Sequence, residues 1–92
     1  MSWAIRDMNG RYTYKEMLFR DKHMQKSVYS YCKSPHLLFT YYSSQSMAER
    51  NAQEMQELSD KLNIGLKFKT EKLDDNVKFF TDDSDIITEY IN

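Results

Sequence analysis

From Ser46 to Leu62 the chain keeps a helical period without a break, and this stretch limits what the remainder can build around it. Ser46-Met47-Ala48-Glu49 reads as a capping box, with the serine hydroxyl and the glutamate satisfying free amides of the first turn. Ala48, Ala52, Met55, Leu58 and Leu62 fall on one face, and Glu57 precedes Lys61 by four residues, a favourable ion-pair spacing. Asn63 or Gly65 can end the helix in a left-handed conformation. An amphipathic helix of this kind needs an apolar surface to lie on. The next residues supply one candidate: residues 66–71 alternate apolar and charged, as a half-exposed strand does. A polar loop over 72–76 and a partner strand over 77–81 follow.

The first half admits two readings. Residues 3–7 form a short strand, and Asn9-Gly10 marks a turn because both residues tolerate positive φ. In one reading residues 11–19 are the returning strand of a hairpin. In the other, which the period favours, a helix spans 14–33. Thr13 and Glu16 make its capping box, Tyr12 staples onto Met17, and Pro35 stops it. Tyr14, Met17, Leu18, Met24, Val28, Tyr31 and Cys32 then share a face, with Asp21 the single miss. Residues 37–42 read as a buried strand. At the other end, Asp82, Asp83, Ser84 and Asp85 suit the start of a short helix carrying Ile86, Ile87, Tyr90 and Ile91. The order β-α-β-α-β-β-α predicts an α+β class. One two-layer domain spans 1–92. It has a small mixed or antiparallel sheet of three to four strands, two longer helices and a short C-terminal helix.

That order of elements is similar to the order in thioredoxin-like domains, but no Cys-x-x-Cys and no proline before residue 66 accompany it. The segment Tyr42-Ser43-Ser44-Gln45-Ser46-Met47-Ala48-Glu49 resembles the phosphate loop of flavodoxins. Its usual glycine is replaced by Met47, so helix capping accounts for it. Cys32 and His36 lack the further ligands of a metal centre and a third group for nucleophilic catalysis; the lone cysteine reads as a small buried hydrophobe. The acidic residues at 74–75 and 82–85 lack the Gly and Glu positions of a calcium loop. Lys67, Lys69, Lys78 and Phe80 share one face of the 66–81 hairpin, and the ordinary reading is a solvated face guarding an edge strand. Neither a metal nor a cofactor is expected, and no enzyme chemistry is assembled.

Charge and aromatic rings are sorted by half. Residues 1–42 carry seven cations against three carboxylates, and residues 43–92 carry six against eleven. Nine of the thirteen aromatics lie in the first part. Such polarity concerns partners more than fold. Exposed tyrosine beside arginine is the composition of protein interfaces. The expected contact surface is therefore Arg11, Tyr12, Tyr14, Lys15, Arg20, Tyr29, Tyr31 and Tyr41, with the acidic second half as the other candidate. The expected function is that of a small non-catalytic regulator or inhibitor that binds another protein. Homodimerisation is expected from the aromatic surplus on a small core. The alternative is a nucleic-acid-binding module using the basic aromatic half. The Tyr-, Lys- and Asp-rich, Ala-poor composition is that of AT-rich genomes such as those of many phages. One cysteine and no apolar run near 18 residues point to a reducing, cytoplasmic setting without a membrane partner. Residues 1–7 lack the basic flank and apolar run of a secretory signal.

Overall fold

The computed structural model describes residues 2–35, 41–74 and 86–91. Among them, strands dominate. β1 (Ser2–Asp7) turns at Asn9-Gly10 into β2 (Tyr12–Thr13). A 3₁₀ turn (Lys15–Met17) leads into β3 (Leu18–Asp21) and β4 (Lys26–Tyr31). Then come α1 (Gln45–Leu62), β5 (Phe68–Leu73) and β6 (Ile87–Ile91). Two three-stranded antiparallel sheets result, ordered β2-β1-β5 and β3-β4-β6. The α+β layout with two longer helices and a C-terminal helix is thus corrected: α1 is the single α-helix among the described residues.

The reason lies in how residues 11–33 are cut. The Asp21 carboxylate accepts the backbone amides of His23 and Met24 at 3.0 and 3.1 Å, which folds a tight turn. Gln25 closes it in the left-handed region at φ 57°. A helix cannot run through that geometry. Thr13 does not cap; its hydroxyl donates to the Ser30 carbonyl at 3.0 Å, across to β4. Phe19, Val28, Tyr29 and Tyr31, aromatic or β-branched, suit the pleated surface instead. The same preference explains residues 86–91. Ile87, Thr88 and Ile91 pair along β4, with Tyr31↔Ile87 and Ser27↔Ile91 at the ends of the register. A six-residue helix has no such template to gain from.

The central helix forms as expected, with a different cap. Ser44, not Ser46, accepts the Met47 amide, at 3.3 Å, and Glu49 takes a hydrogen bond from the Gln45 side chain at 2.8 Å. Asn63 ends the helix at φ 56°. Ala48, Ala52, Met55 and Ser59 are its buried face. The Ser59 hydroxyl donates to the Leu66 carbonyl and accepts its amide, tying the end of α1 to the approach of β5.

The central strand β1 buries both faces. Ala4 joins Tyr12, Met17, Cys32 and Leu73 in one apolar cluster, while neighbouring Ile5 joins Leu18, Tyr29, Tyr31, Ala52 and Met55 in the other. The sheets are laced together by a bridge between Tyr12 and Cys32, with backbone bonds of 2.7 and 2.8 Å. Tyr42 bridges Trp3 in the same way; the rest of the strand expected over 37–42 lies outside the described residues, as do the strand over 77–81 and the acidic cap at 82–85.

Candidate binding surfaces

The β1–β2 turn sets the electrostatics of the molecule. Asp7 ends β1 and is 1% exposed. One of its oxygens accepts the amides of Asn9 and Arg11; the other accepts the Arg11 Nε–H at 2.7 Å and the Tyr29 hydroxyl at 2.7 Å. Four donors around one buried carboxylate compensate its loss of water. Gly10 makes the turn possible at φ +82°; a Cβ there would lie 3.1 Å from the Arg6 guanidinium. The Arg11 guanidinium stacks 4.4 Å from the centroid of the Tyr31 ring and approaches Glu89 of β6 at 3.8 Å. Glu89 in turn accepts the Tyr31 hydroxyl at 2.8 Å. On the other side of β1, Arg6 and Tyr12 share Glu71 of β5.

These contacts shift the titrating groups. Burial lowers the Arg11 pKa, but its hydrogen bonds to Asp7 and Tyr31 outweigh that and the net direction is upward. Burial, then the bond to Glu71, raises Tyr12 to about 12. Tyr29 is raised by burial and by its bond to Asp7; Tyr31 is raised first by its bond to Glu89.

The eight residues expected at a contact surface therefore occupy different places. Tyr29, Tyr31 and Tyr12 are 0%, 6% and 8% exposed. With Arg11 they form the internal network just described. Tyr14 and Tyr41 are partly buried against the first cluster, the Tyr41 hydroxyl donating to the Pro35 carbonyl at 3.1 Å. Lys15 is exposed and paired with Glu54 of α1, which holds the Glu54 carboxyl below its usual range. Arg20 is exposed on β3. Sequence reasoning missed Asp7, Glu71 and Glu89 as the acceptors that organise the network. Asp7 carried a signal, an Asp two residues before Asn-Gly; the two glutamates carried none.

Two surfaces remain open. The first is the outer face of the second sheet. Register places Phe19, Val28 and Tyr90 in one row across β3, β4 and β6. Val28 is buried, while Phe19 and Tyr90 are 46% and 59% exposed. Met24, at the tip of the β3–β4 hairpin, is also exposed. Arg20, Lys22 and Lys26 surround this hairpin, and none joins an ion pair among the described residues. The cations of the N-terminal turn are, by contrast, all paired with acids.

The second surface is an open groove of about 300 Å³ between α1 and β5. Ala52 and Phe68 line it with Glu49, Gln53, Gln56, Lys69 and Thr70. Lys67 and Lys69 are exposed beside it; Lys78 and Phe80 lie outside the described residues. Among the described residues no group of three or more His, Cys, Asp or Glu is placed to hold a metal, and Cys32 is fully buried in the first cluster. No helix among them is long and apolar enough to cross a membrane. No family model, curated protein or solved structure matches the chain.

Proposed function

We propose that this chain is a non-catalytic regulator or inhibitor that works by binding another protein in a reducing, cytoplasmic setting. The supporting observation is the Phe19–Val28–Tyr90 row, with Lys26 on the same face of the hairpin and Lys22 at its tip, neither in an ion pair among the described residues. Large exposed aromatic rings are among the residue types enriched at interfaces. The buried tyrosines and Arg11 serve this surface indirectly, by holding β4 and β6 in the register that aligns the row. Self-association through the same row would give the expected homodimer, and light scattering at micromolar concentration reads it directly.

The test is retention of partners from the native host, compared between the wild type and the double variant Phe19→Ser, Tyr90→Ser. A partner retained by the wild type and lost by the folded variant is the expected result. Equal retention by both moves the contact elsewhere. Binding to oligonucleotides that survives about 0.2 M salt would replace the reading with nucleic-acid recognition.

A further inference from the structure

We infer that the outer edge of β5, beside α1, takes up an extended acidic segment of a protein partner as an added strand of the first sheet. The argument begins with which main-chain groups of β5 point outward. The Met8 amide donates to the Lys67 carbonyl at 3.0 Å, so Lys67 faces β1. In an antiparallel ladder the facing alternates. Lys69, Glu71 and Leu73 then face β1 as well, and Phe68, Thr70 and Lys72 present their N–H and C=O groups away from it. Two contacts agree with this assignment. The Phe68 amide donates outward to the Gln56 side-chain oxygen at 3.2 Å, and the Leu66 carbonyl accepts the Gln56 Nε2–H at 2.7 Å.

The carboxamide of Gln56 thus does for Leu66 and Phe68 what a peptide group of a neighbouring strand would do. The next outward positions, Thr70 and Lys72, make no such bond among the described residues. Thr70 lines the groove between α1 and β5, which has Phe68 and Ala52 as its apolar floor, and Lys72 follows two residues further along the strand. An incoming strand continues the pattern that Gln56 starts, gaining main-chain hydrogen bonds at Thr70 and Lys72 and apolar contact from the floor.

Charge selects the occupant. Lys67, Lys69 and Lys72 are exposed along β5 and join no ion pair among the described residues. Of the nearby acids, Glu71 is taken by Arg6 and Tyr12, and Glu49 in the groove lining accepts from the Gln45 side chain at 2.8 Å. Lysines on an edge repel a second copy of the same edge and favour a segment carrying carboxylates.

The probe is a blocked hexapeptide alternating Glu and Val, followed by amide exchange and chemical shifts on the whole chain. In the free protein the Thr70 and Lys72 amides should exchange quickly, and the peptide should protect them. N-methylation of the peptide edge that faces β5, or replacement of its Glu by Lys, should weaken binding at least tenfold. Thr70→Pro removes an outward N–H at an edge position where proline is tolerated, and should abolish binding while circular dichroism is unchanged. Lys69→Glu with Lys72→Glu should weaken binding about tenfold. Slow exchange of Thr70 in the free protein, no binding, equal binding of the N-methylated peptide, or tighter binding of oligothymidine would each overturn the inference. Phe19→Ser with Tyr90→Ser should leave peptide binding intact, so failure here is distinct from failure of the second-sheet surface.

Discussion

At the residue scale, Asp7 is the position on which most depends. Asp7→Asn keeps an acceptor for the amides of Asn9 and Arg11 but turns an NH₂ toward the Arg11 Nε–H and the Tyr29 hydroxyl. The Tyr29 hydroxyl turns to accept, but the Arg11 Nε–H then faces a donor in a buried site, and the expected loss is about 3 kcal/mol in urea unfolding. Tyr29→Phe removes one donor and leaves the guanidinium in place, so the expected loss is about 1–2 kcal/mol. Equal effects from the two would show that the ring, not the carboxylate, organises the turn. Gln25 offers the opposite case. A side chain in the left-handed region costs about 1–2 kcal/mol, and glycine's extra chain entropy about 0.5–1 kcal/mol. Gln25→Gly should therefore raise the melting temperature by about 3 °C, the shift for roughly half a kcal/mol in a chain of this size. A lower melting temperature would mean that the Gln25 side chain, which donates to the Lys22 carbonyl at 3.1 Å, matters more than its backbone.

At the element scale, β6 carries the largest consequence. It covers one edge of β4 along five paired residues, and Ile87 and Ile91 pack on the second cluster beside Ile86 on the first. Burying a large aliphatic side chain is worth about 1.5–3 kcal/mol. These three are half-buried, so removal of residues 86–92 should lower the melting temperature by more than about 10 °C. Tyr90→Ser, on the exposed outer face, should change stability by less than about 0.5 kcal/mol. A truncated chain that melts like the intact one would place β6 outside the folded unit. The α1 helix and β5, by contrast, were legible in the sequence. Their periods of 3.6 and 2 are local properties, and their ends carry Asn63 and Gly65, both at positive φ.

At the scale of the whole molecule, three tyrosines join the strands to one another. Tyr12 links β2 to β5, Tyr29 links β4 to the β1–β2 turn, and Tyr31 links β4 to β6. All three titrate above the ordinary tyrosine value, Tyr12 at about 12 through burial and its bond to Glu71. The fold favours the neutral hydroxyl. Its contribution is complete below the unfolded value of about 10 and is lost as pH rises through the folded one. Urea midpoints should therefore hold up to about pH 9.5 and fall steadily above about pH 10, together with tyrosinate absorbance. Flat midpoints across that window would mean that these hydroxyls ionise without cost to the fold.

The sequence alone determined the amphipathic helix, the Asn9-Gly10 turn, the first strand and the alternating strand after Gly65, because each is written in neighbouring residues. It also located the cation-rich, aromatic half. Only the tertiary structure decided that residues 14–33 form a 3₁₀ turn and the hairpin of β3 and β4, and that residues 86–91 join it. Apolar spacing there satisfies a helix as well as a sheet, and the choice went to pairing between β3, β4 and β6, whose partners lie up to 64 residues apart, as Ser27 and Ile91 do. The same long-range pairing turned Tyr12, Tyr29 and Tyr31 inward to meet Asp7, Glu71 and Glu89, and left Phe19, Arg20 and Tyr90 outside. Which face of a strand is buried depends on what lies across from it, and a local pattern does not carry that information.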